Sequence, residues 1–358
     1  MRILLICTHL NAGGISRYIL TLAKGLKKNG HQVFVSCAPG GEWLNRLSEE
    51  SIACKTIPIK TKSILSIKIL FSFFILAGFI KEEKIDIIHA NSRVTQFLGF
   101  LLHKFTKTPY VATFHGLYRK SRTRKKLKFE GLKTIAISES VKTHLTQDLN
   151  ITADKIRVVY NGVYRAEFSP RVKTKKDYGF KDADFVIGIL GRISEEKGHF
   201  LAVEAFKLLS CDYTNAYLAV SGKGKLEEDL KTFIKLADIE NKVKFFDMEA
   251  KDFLDIPDVL IVPSRNEGFG YVIIEAFLKE IPVIGFRGGG AIAEIVRHKE
   301  NGILFDKYDG LCLKQAIEEL MNNKTLREQL IGKARKDAQA FSMEEMALNT
   351  EKVYREVL

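Results

Sequence analysis

Short apolar runs alternate along this chain with longer stretches in which apolar residues return every three or four positions. Arg2–Cys7 (RILLIC), Gln32–Cys37, Ile52–Ile57, Ile85–His89, Tyr110–Phe114, Thr134–Ser138 and Ile156–Tyr160 read as strands. Helical patterns separate them. The first of these carries Ile15, Tyr18, Ile19, Leu22 and Leu26 at a 3.6-residue period and stops at Gly30. A second series opens at Phe185–Leu190 and continues through Ala216–Val220, Lys242–Phe246, Val259–Val262, Pro282–Gly285 and Ile303–Phe305, with a helical tail beyond Gly310. Strands alternating with helices predict an α/β chain of parallel, doubly wound sheets. Between the two series lie the turn signature Tyr160-Asn161-Gly162-Val163, then Ser169-Pro170 and a charged stretch, which place a linker at 163–182. At 358 residues the chain exceeds the roughly 250–300 at which a single core stops growing, so two domains are expected, at 1–165 and 166–340, followed by a terminal helical segment, 341–358.

Composition narrows the class. With 46% hydrophobic and 28% charged residues the chain is globular, and disorder is excluded. Five scattered cysteines, with no CxxC pair, argue for reduced thiols in a cytoplasmic protein and against a disulfide frame or a zinc site. Net charge is +13, and its distribution is uneven: residues 1–165 hold 27 Lys/Arg against 10 Asp/Glu, the remainder 29 against 33. A basic first half suits nucleic acid, an anionic membrane face or an anionic substrate. The densest run, Arg119–Lys128, lacks aromatic interleaving and any recognition motif, so nucleic acid is the weaker choice. No cleavable leader is read at the start, where Met1-Arg2 leads directly into the first strand. The apolar segment Ile64–Ile80 holds one charge, Lys68; it sits at the lower length limit for a span and is read as a buried or interfacial helix.

Candidate chemistry gathers at strand ends. Gly13-Gly14 follows the first strand without the GxGxxG of a dinucleotide site. Arg192 and Lys197 sit on one strand-to-helix turn and have the charge to grip a diphosphate. Ser221-Gly222-Lys223-Gly224 lacks GxxxxGK[ST], so ATP hydrolysis is unsupported. After Val259–Val262 come Glu267 on a turn and, eight residues on, Glu275 within an apolar helical pattern, where a carboxylate needs a polar partner.

These motifs occur together in one order: Gly13-Gly14, Phe114-His115-Gly116, Tyr160-Asn161-Gly162-Val163, Gly191-Arg192 with Glu196-Lys197-Gly198, Glu267-Gly268-Phe269-Gly270 with Glu275, and Gly288-Gly289 with Glu294. The set resembles the retaining, nucleotide-sugar-dependent glycosyltransferases of family 4, over nearly the whole chain. The resemblance implies the GT-B architecture: two facing Rossmann-like domains with a cleft between them, the second binding the donor, the first the acceptor, and the last helix crossing back to the first. It implies Arg192 and Lys197 as the diphosphate pair in place of a metal, and no cofactor. Glu267 would lie beside the donor sugar, Glu275 on the ribose, His115 on the sugar, and Gly13, Gly14, Gly268, Phe269 and Gly270 against the donor through their backbones. No Asp-x-Asp motif stands where a divalent cation would be held. Glu267, His115, Arg192 and Lys197 are the catalytic candidates, with front-face attack favoured because a second flanking acid is missing. A UDP-sugar is the favoured donor and GDP-mannose its main competitor; the short 247–257 segment leaves the base preference open. The expected acceptor is a glycan or lipid-linked glycan of cell-surface polysaccharide or lipopolysaccharide synthesis, met at the inner face of the membrane through the basic first domain. A GT-B epimerase and a non-catalytic carbohydrate-binding protein are the alternatives.

Overall fold

A computed structural model describes residues 1–11, 13–118, 127–168 and 173–358. The basic run at 119–128 falls, apart from Leu127 and Lys128, outside the described residues, as do Ser169 and Pro170. The chain forms two compact units: Met1–Val163 with Phe341–Leu358, and Tyr164–Ala340.

In the first unit, β1 (Arg2–Ile6), β2 (Gln32–Cys37), β3 (Ala53–Thr56), β4 (Ile87–Ala90), β5 (Tyr110–Phe114), β6 (Lys133–Ala136) and β7 (Ile156–Val158) form a parallel sheet in the order 3-2-1-4-5-6-7. A sheet covered on both faces requires apolar side chains on both sides of the pleat, and Ile3, Leu4, Leu5 and Ile6 are all fully buried. Leu4 and Ile6 meet Ile69, Leu76, Val94 and Leu98 from the helices Ile67–Glu82 and Arg93–Thr106. The order reverses between β1 and β4, which places a topological switch point at their carboxyl ends.

The second unit repeats the plan with β8 (Phe185–Leu190), β9 (Ala216–Ser221), β10 (Val243–Phe246), β11 (Val259–Val262), β12 (Val283–Phe286) and β13 (Ile303–Phe305), all parallel, in the order 10-9-8-11-12-13. Its switch point lies between β8 and β11. The α/β, doubly wound class read from the sequence is the observed fold.

One feature differs from the sequence expectation. No free linker occupies 173–182: Thr174 and Asp177 cap a 3-10 turn at 2.8 Å, and Lys175 Nζ reaches Asp258 at 3.0 Å, so the charged stretch is built into the second unit. The 247–257 segment carries a single helical turn, Ala250–Phe253, with Phe253 buried. The apolar segment forms the helix Ile67–Glu82, capped by the Ser66 side chain, with Ile69, Ser72, Leu76 and Ile80 buried. Among the described residues no helix is long and apolar enough to cross a membrane.

The terminal helix, Met343–Arg355, packs within the first unit against the helix Gly14–Lys28. The two approach closely at Gly25, where a Cβ would stand 2.7 Å from Ala347 Cβ, closer than van der Waals contact allows. His31 faces Glu351 at 3.1 Å, and the Tyr354 hydroxyl lies 2.6 Å from His89 Nδ1 in the core.

Candidate active site

Two clusters of polar side chains stand at the two switch points. In the second unit the loop after β8 carries Arg192 and Lys197, and the loop after β11 carries Glu267. Lys197 Nζ donates to Glu267 Oε2 at 2.6 Å, with both side chains largely buried. Such a pair joins the two halves of the sheet across the point where neighbouring loops diverge, the usual ligand position in open α/β sheets. Arg192 extends from the same loop, 70% exposed; among the described residues it makes only a loose contact, to Glu196 at 3.8 Å, which leaves its guanidinium open to an arriving anion.

Glycines allow these loops to interlock. The Gly191 N–H donates to Ser221 O at 2.9 Å and the Ile193 N–H to Lys223 O at 3.0 Å. A methyl group on Gly222 would overlap the Gly191 carbonyl, and one on Gly224 that of Ile193. Gly198, at φ 76°, lies against the Pro263 carbonyl with no room for a Cβ, and it leads into the helix His199–Asp212. The Arg265 N–H donates to Glu196 O at 2.8 Å, the Glu267 N–H to Gly289 O at 3.0 Å, and the Ala291 N–H to Glu267 O at 3.0 Å. Four strand-end loops are thus fixed to one another through backbone bonds, and Glu267 is held at both of its peptide groups.

Gly268, Phe269 and Gly270 continue from Glu267 into the helix Tyr271–Leu278, with Gly270 left-handed at φ 90° as the residue before the first turn. Phe269 is buried, and Glu275 is fully buried on that helix among Ile273, Ile274, Ala276 and Phe277. Beside Gly198 lies a recess of about 360 Å³ walled by Phe200, Leu226, Glu195, Glu204 and Arg265, whose guanidinium stacks on Tyr308 at 4.0 Å. Neither Arg265 nor Tyr308 was singled out by the sequence, because they approach only when the β11 and β13 ends are brought together.

In the first unit, Gly13 precedes the helix Gly14–Lys28, and its carbonyl accepts from the Arg17 N–H at 3.0 Å. The loops after β1 and β4 meet through Thr8 Oγ1 and Ser92 Oγ at 2.7 Å. His115, just beyond β5, lies with Nε2 3.2 Å from Asn91 Oδ1, and the Tyr18 ring stands edge-on to it at 4.5 Å. Asn91 is fully buried and missed by motif reasoning; its one signal is a polar residue immediately after a buried strand. Desolvation pulls the His115 pKa down to about 3, so the imidazole is neutral at physiological pH. His89 behind it is also held at about 3, by burial first and then by its proximity to His115. Its Nε2 lies 2.6 Å from Thr113 Oγ1, which in turn lies 3.1 Å from the Tyr18 hydroxyl, so the network runs from the terminal helix to the strand end that carries His115.

The structure therefore brings Lys197 to Glu267, with Arg192 on the same loop, and places Gly13, Gly14 and His115 in the other unit. Lys223 of the glycine-lysine loop is paired with Asp247 at 2.6 Å on the surface. An Asp-x-Asp sequence does occur, Asp182-Ala183-Asp184, but in the turn before β8, at the opposite edge of the sheet. There Asp182 pairs with Lys176 at 2.5 Å and Asp184 accepts from the Lys181 N–H at 2.7 Å. Among the described residues no group of three His, Cys, Asp or Glu side chains is arranged to hold a metal ion.

Comparison with known proteins agrees with this layout. Residues 170–337 match the family described as glycosyl transferases group 1, and residues 12–167 match Glycosyltransferase Family 4. An uncharacterized glycosyltransferase of Methanocaldococcus jannaschii is 31% identical over 78% of this chain and 77% of its own length. The UDP-Gal:alpha-D-GlcNAc-diphosphoundecaprenol alpha-1,3-galactosyltransferase of Escherichia coli is 25% identical, covering 87% of this chain and 86% of its own. Among solved structures, a glycosyltransferase from Rickettsia africae superposes with a TM-score of 0.87 at 27% identity, covering 99% of this chain and 98% of the other. Anabaena HepE, solved with UDP and glucose, shares the fold with a TM-score of 0.86 at 21% identity over 99% of both chains. Two Rossmann-like sheets, matching family domains in both halves and a relative of this similarity make the conclusion plain: the chain belongs to the family 4 glycosyltransferases of GT-B architecture.

Proposed function

We propose that this glycosyltransferase moves a monosaccharide from a nucleoside diphosphate sugar to a glycan or lipid-linked glycan on the cytoplasmic side of a membrane, with retention of configuration and without a metal ion. The observation that carries the reading is the Lys197–Glu267 pair at the switch point of the second sheet. A lysine and a carboxylate held there supply two complementary functions. Lys197, with Arg192 beside it, neutralises the charge that builds on a departing diphosphate, the role a divalent cation fills elsewhere. Glu267, its carboxylate oriented by that lysine and by two backbone bonds, stands ready to accept from sugar hydroxyls. Glu275 is assigned to the ribose hydroxyls, and the backbone of Gly268, Phe269 and Gly270 to the donor where the helix begins. In the first unit, neutral His115, oriented by Asn91, donates or accepts one hydrogen bond to the transferred sugar, while Gly13-Gly14 leaves backbone open to the donor.

Retention follows from front-face attack: the acceptor hydroxyl approaches from the leaving-group side, and its proton passes to a phosphate oxygen as the glycosidic bond breaks. With Glu267 assigned to the sugar and Glu275 to the ribose, the acid pair is divided, which favours this over a covalent intermediate. A UDP-sugar is the preferred donor; HepE was solved with UDP and with UDP-glucose, and the E. coli relative is named for UDP-Gal. Polysaccharide synthesis is supported by the capsular polysaccharide glycosyltransferase CapM of Staphylococcus aureus, 31% identical over 56% of this chain.

Thermal stabilisation by UDP, GDP and their sugars, followed by NMR of the transferred anomer, tests the proposal. A productive donor at about 100 times its dissociation constant adds about 2.7 kcal/mol. If no nucleotide sugar stabilises the protein, or if the product is inverted, the reading fails.

A further inference from the structure

We propose, on the assignment of His115 to the transferred sugar, that His144 and Asp148 are positioning residues for His115 and act through Tyr118. Strand β5 last pairs with its neighbour at Phe114, opposite Ala136. Beyond it the backbone leaves the sheet, and the half-buried N–H groups of the segment His115-Gly116-Leu117-Tyr118 need other partners. Side chains supply two of them. The His115 N–H donates to Tyr118 Oη at 3.2 Å, which folds the segment back on itself, and the Tyr118 N–H donates to His144 Nε2 at 3.1 Å. His144 Nδ1 in turn lies 2.8 Å from Asp148 Oδ2. These two residues stand one turn apart at the end of the helix Glu139–Gln147, where positions four apart share a face. That helix is itself firmly seated: the Ser138 side chain caps it at the Val141 N–H, and Val141 and Leu145 are buried.

The bonds fix the chemistry of the imidazole. Nε2 accepts a backbone N–H, so it carries no proton; the proton of the neutral ring sits on Nδ1 and is donated to the Asp148 carboxylate. Asp148 thereby selects the one tautomer that can hold Tyr118, since the other would set N–H against N–H. A histidine and an aspartate at 2.8 Å have the form of a proton-transfer pair, but here Nε2 is occupied by the backbone and the His144 side chain is only 7% exposed, so the pair holds and does not react. The Tyr118 ring lies between the two ends of the connection, 6.0 Å from Phe114 and 6.4 Å from His144. Asn91 orients the His115 ring at 3.2 Å, while Asp148, His144 and Tyr118 set the backbone from which that ring hangs. A displacement of about 1 Å at a group that touches substrate can cost about 10²-fold in rate.

Hydrogen exchange of the peptide spanning His115–Tyr118, together with UDP release from UDP-glucose, tests this on the full chain. His144→Leu should speed exchange in that peptide at least about tenfold and lower kcat about tenfold, with the UDP dissociation constant within about twofold of wild type. His144→Gln, whose Oε1 can accept from the Tyr118 N–H, should restore most of both losses. In a His115→Ala background His144→Leu should lower kcat no further, because both changes act on one group. Should His144→Leu fail to fold, Asp148→Asn decides: with the ring divided between two tautomers, exchange should rise and kcat fall by about threefold each. Exchange untouched by these variants overturns the proposal. So does a loss of kcat that is as large in the His115→Ala background as in the wild type, and in that case the transfer reading stands. If the wild-type chain releases no UDP, the exchange measurement alone decides whether His144 and Asp148 hold the segment.

Discussion

Removing the Glu267 charge is expected to move donor binding and turnover in opposite directions. In the free protein Lys197 is committed to Glu267 at 2.6 Å, in a setting where the lysine side chain is 28% and the glutamate 13% exposed. Two unit charges about 4 Å apart attract by about 4 kcal/mol at an effective dielectric near 20. Desolvation and the residual water around Lys197 offset most of this, leaving about 1–2 kcal/mol net. A diphosphate must compete for that lysine. Glu267→Gln keeps the shape of the side chain and releases the ammonium, so UDP should bind up to about tenfold more tightly, while turnover falls by about 10²-fold because the sugar loses a charged acceptor. Lys197→Met should lower both, with kcat/KM down by about 10²- to 10³-fold, the usual effect of deleting a donor aimed at developing charge. Calorimetry with UDP and a transfer assay on the same preparations supply the two numbers. If Glu267→Gln weakens UDP as much as Lys197→Met does, the pair is a structural strut and the roles assigned here are wrong.

His115→Ala should reduce turnover by about 10²-fold with UDP affinity unchanged, and since burial holds this imidazole at about 3, the wild-type rate profile should show no limb at the ordinary histidine pKa. His89 is neutral in the folded chain, with a pKa of about 3, and protonates near 6.5 once unfolded, so the unfolded state binds the extra proton between those values and stability is lost as pH falls below about 6.5. By pH 5 that loss is about 2 kcal/mol; in urea titrations at pH 7.5 and 5, His89→Gln should shrink the difference by this amount, and an unchanged difference would contradict the assignment. Gly222→Ala places a methyl group onto the Gly191 carbonyl at φ 138° and should cost at least about 2 kcal/mol in denaturant melts. Turnover should survive prolonged chelation, whereas a dependence restored by added magnesium or manganese would assign the diphosphate to a metal rather than to Arg192 and Lys197.

The strands and the loops that matter were written in the local residue pattern, because a strand buried on both faces leaves an apolar run that the chain can spell locally. Tyr110–Phe114, Phe185–Leu190 and Val259–Val262 were legible to the residue for this reason, and Glu267 and Lys197 stood out as charges directly after such runs. What those charges meet depends on the folded arrangement of the strands. Lys197 and Glu267 are seventy residues apart and become neighbours because β8 and β11 lie side by side at the switch point, a property of strand order rather than of spacing. Asn91 reaches His115, and Tyr354 reaches His89, through pairings no periodicity records. The helix Ile67–Glu82 shows the limit most clearly: its composition says apolar on every side, and only the packing partners choose which side the core takes and which it leaves to the surroundings.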